Sequence, residues 1–107
     1  MQESNELKQA WEYINVTLEM FGLPWGKESL RSTSKNPIML TETSPGKIYV
    51  VINVERLGNS SFERGKILIA LVNAFEKKYE ISKINSWQGF KGFFIKAQAN
   101  NSSKHQT

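Results

Sequence analysis

Residues 85–96 read NSWQGFKGFFIK and place four aromatic side chains, two glycines and two lysines close together. The Gln88-Gly89-Phe90 stretch interrupts two runs that are rich in β-branched and aromatic residues. Such a pattern is typical of a β-hairpin, because glycine and polar residues suit the turn and the flanking residues suit strands. We therefore predict strands over residues 81–87 and 91–98.

Alternation along these strands separates the two neighbouring phenylalanines, because successive side chains of a strand point to opposite faces. Phe93 falls on the same side as Ile95, and Phe94 falls on the other side with Lys96. In the preceding strand Ile84 is expected in the core. The second face is then expected to show aromatic, amide and lysine side chains, which are Tyr49, Asn53, Lys83, Trp87, Phe94 and Lys96.

Two further strands are predicted upstream. Residues 48–54, IYVVINV, are β-branched and aromatic and form the clearest strand of the chain, and residues 38–43 form a shorter one. Ser44-Pro45-Gly46-Lys47 lies between them and has proline and glycine at the positions that a type II turn favours. These segments predict a second hairpin.

Apolar residues at helical spacing predict two helices. Residues 5–21 carry a continuous apolar stripe that includes Trp11 and Leu18, and Gly22 and Pro24 end it. A second helix is expected from Ser60-Ser61-Phe62-Glu63, which matches a capping box, to about Tyr79.

The predicted fold class is α+β, with the element order α-β-β-α-β-β in one domain. We assign residues 1–99 to this domain and residues 100–107 to a disordered polar tail, since NNSSKHQT has no apolar residue to bury. Two helices would pack against an antiparallel sheet. From Ile48 onward the order is β-α-β-β, the first part of a ferredoxin-like β-α-β-β-α-β unit. We therefore consider a circularly permuted ferredoxin-like topology, in which the first helix and strand 38–43 supply the missing last helix and strand.

The composition argues against most enzymes. The chain of 107 residues has no cysteine and no aspartate, and its one histidine, His105, lies in the expected tail. Nucleophilic triads, zinc sites and calcium sites therefore lack their usual side chains, and neither a metal nor a cofactor is expected. Without cysteines, a signal peptide or an apolar run long enough for a membrane span, we expect a cytoplasmic protein with no membrane partner.

Positive charge is concentrated after the first helix. Residues 1–22 carry four glutamates and one lysine, whereas residues 23–107 carry thirteen lysines and arginines against six glutamates, a net charge of +7. The polar connection over residues 22–37 contributes Lys27, Arg31 and Lys35. An acidic helix beside a basic remainder favours a polyanionic partner, although an ordinary solvated surface has the same composition.

One short segment resembles a known family. Lys91-Gly92-Phe93-Phe94-Ile95 resembles the aromatic strand signature of RNA-recognition motifs, and Ile48-Tyr49-Val50 is loosely similar to the first strand of that family. The small residue that the signature places between its two aromatics is absent here. Phe93 and Phe94 therefore lie on opposite faces, and at most one of them can stack on a base.

Two hypotheses of function follow. The first is a non-enzymatic domain that binds RNA or single-stranded DNA, because bases stack on aromatic rings and lysines neutralise phosphates. The second is a protein-interaction or regulatory adapter module, including a homodimer, that uses the same face. The candidate binding residues for either partner are Tyr49, Lys83, Trp87, Lys91, Phe94 and Lys96, with Lys27, Arg31 and Lys35 assisting.

Overall fold

The protein, described here by a computed structural model for residues 4–22 and 37–98, folds as two helices on one antiparallel sheet. The predicted α+β class and the predicted order of elements are confirmed. Lys27, Arg31, Lys35 and the expected tail lie outside the described residues. The elements are α1 (Asn5–Met20), β1 (Ile38–Ser44), β2 (Lys47–Asn53), a short 3-10 helix (Val54–Arg56), α2 (Ser61–Lys78), β3 (Tyr79–Ile81), β4 (Asn85–Trp87) and β5 (Phe90–Ala97).

The last strand, β5, lies in the middle of the sheet. The strand order is β1-β2-β5-β3, and β4 also pairs with β5. Because β2 and β3 are both antiparallel to β5, they run in the same direction with β5 between them. Together with α2 they form a split β-α-β unit, and α1 and β1 add the outer strand beside β2, as the permuted ferredoxin-like topology requires.

The predicted strand over residues 81–87 is divided into β3 and β4. The reason lies at Ser82, where the backbone N–H still donates to the Phe94 carbonyl (3.0 Å). The Phe94 N–H, however, donates to the Ser82 hydroxyl (2.9 Å) and not to a backbone carbonyl. A side-chain hydroxyl that replaces a backbone acceptor interrupts the regular ladder, so the pairing resumes only at Asn85.

Both helices begin at a serine that caps them. The Ser4 hydroxyl accepts from the Leu7 N–H (3.0 Å), and the Ser60 hydroxyl accepts from the Glu63 N–H (3.1 Å). The Glu63 carboxylate accepts in turn from the Asn59 N–H (2.8 Å), one residue before the position that a capping box normally uses. Each cap satisfies backbone donors that the helix itself leaves unpaired.

The two hairpins have the turn residues that their geometry requires. Gly46 has φ of 78°, as position i+2 of a type II turn demands. In the β4–β5 hairpin, Gln88 and Gly89 have φ of 44° and 89°, the two positive values of a type I′ turn. This turn fixes the register in which Trp87 faces Phe90.

The core lies between the helices and one face of the sheet. Phe75 of α2 and Phe93 of β5 are fully buried, and their rings meet edge to face at 5.6 Å. The core residues of α1, such as Ile14 and Leu18, belong to the same cluster. Both helices therefore cover the same face of the sheet, which we call the helix-covered face.

Candidate functional site

The sheet face opposite the helices collects four aromatic side chains that lie outside the core. Residues that oppose each other across antiparallel strands share a face. The register of β2, β4 and β5 thus fixes the members of this side of the sheet, which we call the aromatic face: Lys47, Tyr49, Val51, Asn53, Asn85, Trp87, Phe90, Gly92, Phe94 and Lys96. Val51 and Asn53 are buried within it, and Glu80 of β3 shares it opposite Lys96.

Four rings on this face form two pairs. Tyr49 and Phe94 face each other across β2 and β5, with their ring centres 4.7 Å apart and their planes tilted by 55°. Trp87 and Phe90 are stacked across β4 and β5, with centres 5.8 Å apart and planes within 21° of parallel. Each pair forms an aromatic platform, and both platforms lie on the same side of the sheet.

Gly92 lies between the two pairs and allows both to approach the backbone. A methyl group on Gly92 would lie 2.7 Å from Cη2 of the Trp87 ring and would also meet the Tyr49 hydroxyl. No side chain fits there without moving a ring. Glycine at this position therefore joins the two platforms into one continuous surface.

Neither α1 nor α2 covers this surface, since both helices lie on the other face of the sheet. Trp87 is 41% exposed, while Tyr49, Phe90 and Phe94 are partly buried by one another and remain accessible. The sequence pattern alone does not decide whether the first helix lies on these aromatics. In the structure, α1 packs on the opposite face of the sheet and does not cover them.

Positive charge borders the Tyr49–Phe94 pair. Lys47 and Lys96 are directly opposite each other, and the Lys47 ammonium lies 4.6 Å from the centre of the Phe94 ring. Like charges in opposed positions destabilise a sheet, although Glu80 on the other side of Lys96 offsets part of that repulsion. This end of the face is thus suited to an anion.

The structure describes six of the nine predicted binding residues and brings four of them together on one face. Tyr49, Trp87, Phe94 and Lys96 are members of the aromatic face, and Lys83 is exposed in the link between β3 and β4. Lys91 is on the helix-covered side. Its ammonium donates to the Ser86 hydroxyl (2.7 Å), and its side chain lines a groove against α2.

Lys47 and Phe90 belong to the aromatic face but are missing from the binding residues that the sequence predicts. The sequence pattern places Lys47 in a turn and Phe90 in the turn region of the second hairpin. Their spacing from Tyr49 and Phe94 would have identified them as members of this face, because residues separated by two or four positions in a strand share a face. The strands begin at Lys47 and Phe90, earlier than predicted.

Two ionisable groups with shifted pKa values lie away from this face. Hydrogen bonds from the Ser4 hydroxyl and the Gly46 N–H lower the pKa of the Glu42 carboxyl below its ordinary value. Burial, with a smaller effect of Tyr13, raises the pKa of Tyr79. Glu42 joins the N-terminus of α1 to the β1–β2 turn, and Tyr79 belongs to the core. Both groups act in the packing of the helix-covered face.

Residues 4–22 and 37–98 hold no cluster of acidic, cysteine or histidine side chains suited to a metal ion. Neither of the two helices in these residues is long and apolar enough to cross a membrane. In comparisons with known proteins, no protein-family model and no curated protein matches the chain.

Proposed function

We propose that the protein binds single-stranded nucleic acid, RNA or DNA, through the aromatic face and without catalysis. The observation that carries this proposal is the assembly of two ring pairs and two lysines on one sheet face that neither described helix covers. Exposed ring faces offer stacking to any base, and lysines offer charge to phosphates.

The two ring pairs are spaced for separate bases. Phe90 and Phe94 are four residues apart on β5, which corresponds to about 13 Å along an extended strand. One base would stack on the Trp87–Phe90 pair and another on the Tyr49–Phe94 pair. A duplex keeps its bases stacked on each other, so this surface favours unpaired strands.

The lysines favour a phosphate close to the Tyr49–Phe94 pair. In the free protein the Lys47 ammonium occupies the face of the Phe94 ring. A base that stacks on Phe94 would displace it, and the released ammonium would pair with the phosphate of the same nucleotide. The phosphate would also relieve the repulsion between Lys47 and Lys96.

The adapter hypothesis places a protein on the same face. The opposed lysines at the end of this face distinguish the two partners, because lysine is depleted in protein interfaces relative to the rest of the surface. A nucleic acid satisfies both the rings and the lysines along one strand. For this reason we favour nucleic acid over protein as the partner.

The proposal is tested by titration of the protein with a single-stranded oligonucleotide of mixed sequence across a series of salt concentrations. Loss of one base stack costs roughly 1–3 kcal/mol, so Trp87→Ala and Phe94→Ala should each weaken binding by about 5- to 150-fold. Lys96→Ala should reduce the slope of log affinity against log salt by about 0.7 for each phosphate that the variant no longer neutralises.

Helix α2 offers matched controls away from the aromatic face. Phe62 is 81% exposed and Lys66 is exposed, so Phe62→Ala and Lys66→Ala remove an aromatic ring and a lysine without touching the proposed site. Both variants should bind as the wild type does. No binding at low salt would overturn the proposal, and so would equal losses in the α2 variants and the aromatic-face variants.

A further inference from the structure

The outer surface of the two helices carries large apolar side chains that the protein does not bury. On α1, Val16 is 59% exposed and Met20 is 75% exposed. On α2, Phe62 is 81% exposed and Ile69 is 62% exposed. An exposed apolar patch on the side of a helix that usually carries polar residues is typical of a contact surface.

Three of these side chains, Val16, Phe62 and Ile69, belong to one regular stripe on each helix, and Met20 lies beside the α1 stripe, one turn after Val16. Exposed positions recur at the spacing i, i+4, i+7, i+11 and i+14, which keeps them on one side of a helix. The stripe of α1 consists of Asn5, Gln9, Glu12, Val16 and Glu19, and that of α2 consists of Phe62, Lys66, Ile69, Asn73 and Glu76. Both stripes point away from the sheet, because the core residues occupy the opposite side of each helix.

The two helices are neighbours, so their stripes form one surface. The Tyr13 hydroxyl of α1 donates to the Ala74 carbonyl of α2 (2.6 Å), and the Lys78 ammonium lies 4.9 Å from the centre of the Tyr13 ring. Beside Ile69 the surface continues into a groove of about 280 Å³ that is lined by Leu68, Ile69, Val72, Asn73, Ile84 and Lys91. We call the two stripes and this groove the helix-layer surface.

The helices carry opposite net charge, which favours a second copy of the chain on this surface. Helix α1 has three glutamates and one lysine, a net charge of −2, whereas α2 has four basic residues and two glutamates, a net charge of +2. Two copies that placed α1 on α1 would repel each other. A two-fold arrangement that places each α1 on the other copy's α2 makes both contacts attractive.

We propose that a second copy of the chain docks on the helix-layer surface, with α1 of each copy on α2 of the other. Val16 and Met20 of one copy then pack on Phe62 and Ile69 of the other, and the groove beside Ile69 provides space for an apolar side chain. The aromatic faces lie on the far sides of the two sheets and stay accessible. The dimer therefore does not depend on nucleic-acid binding.

The oligomeric state is measured by sedimentation of the full chain up to roughly 1 mM, where even a weak self-association is visible. The wild type should form a dimer in a concentration-dependent manner. Ile69→Asp should weaken the dimer at least about tenfold, since it places a charge in the apolar contact. Trp87→Ala on the aromatic face is the control and should dimerise like the wild type.

Charge reversal tests the pairing of α1 with α2. One variant, Glu12→Lys with Glu19→Lys, changes the net charge of α1 from −2 to +2. The other, Lys66→Glu with Lys77→Glu, changes that of α2 from +2 to −2. Each variant alone then has helices of one sign and should be monomeric. An equimolar mixture should form a mixed dimer, because every α1–α2 contact is again between opposite charges.

Two results would overturn the proposed α1–α2 dimer. A wild type that stays monomeric at the highest concentration overturns it. Dimers of the single charge-reversal variants that are as stable as the wild-type dimer also overturn it, because they indicate a pairing that ignores the charge of the helices. All substituted positions are exposed, and circular dichroism verifies that each variant remains folded.

Discussion

Two neighbouring residues of β5 show how differently the two faces of the sheet are used. Phe93 is fully buried against Phe75 of α2. Phe94 is only partly buried on the other side, where its ring contacts Tyr49 and the Lys47 ammonium. The chain thus places a phenylalanine on each side of one strand, but the helices enclose only one of the two.

This difference indicates distinct roles for the two sets of aromatics. A buried ring stabilises the fold by the removal of its apolar surface from water. A ring on an open face contributes less to stability and keeps its surface for a partner. The helix-covered face should therefore determine whether the protein folds, and the aromatic face should determine what it binds.

The largest expected effect is the difference between Phe93→Ala and Phe94→Ala. The first leaves a cavity in the core and should reduce the free energy of unfolding by about 3–5 kcal/mol. The second removes a ring pair and a cation–π contact, about 1–2 kcal/mol together. Urea denaturation followed by circular dichroism measures both. Equal losses in the two variants would show that the faces do not differ as described.

A smaller effect is expected for Gly92→Ala. The added methyl group meets the Trp87 ring and the Tyr49 hydroxyl, so the variant should lose about 1–3 kcal/mol of unfolding free energy. The Trp87 contact should also change its fluorescence. Gly65→Ala is the matched control, because nothing lies within 4 Å of its added methyl group and alanine favours the α2 helix. A Gly92→Ala protein as stable as the wild type would contradict the close approach of the rings.

The smallest effect concerns the contact that ties α1 to the β1–β2 turn. The pKa of Glu42 is lowered in the folded protein by hydrogen bonds from Ser4 and Gly46. Its contribution to stability is therefore complete above the ordinary carboxyl pKa and is lost as the pH falls through the lowered, folded-state value. Glu42→Gln should flatten the stability profile below the ordinary carboxyl pKa of 4.5, measured by thermal unfolding.

Glu12 provides the control for this pH dependence, since it is exposed on the outer side of α1. Glu12→Gln should leave the acid limb of the profile as it is in the wild type. If Glu42→Gln and the wild type lose stability identically on acidification, the Ser4–Glu42 contact does not stabilise the attachment of α1.

Much of the fold could be predicted from local patterns. The apolar stripe of α1, the serine caps and the β-branched run of β2 are each decided by neighbouring residues, and the structure confirms these elements. The division of the strand over residues 81–87 was not predictable in this way. It depends on Ser82 meeting Phe94, twelve residues later, through a side-chain hydrogen bond.

The candidate surface was predictable in part, for the same reason. Alternation separated Phe93 from Phe94 correctly, and the register confirms the separation. Lys91, one of the predicted binding residues, instead lies on the side of Phe93, because residues two positions apart in a strand share a face. Which face the helices leave open is a matter of tertiary packing. No local pattern of the sequence decides it.

The most direct test of the central claim is an NMR titration of the protein with a single-stranded oligonucleotide at low salt. We predict that the ring resonances of Tyr49, Trp87, Phe90 and Phe94 shift as the oligonucleotide is added, while those of Phe75 and Phe93 stay unchanged. Shifts confined to the helices, or no shifts in any ring of the aromatic face, would contradict the proposal that this face binds nucleic acid.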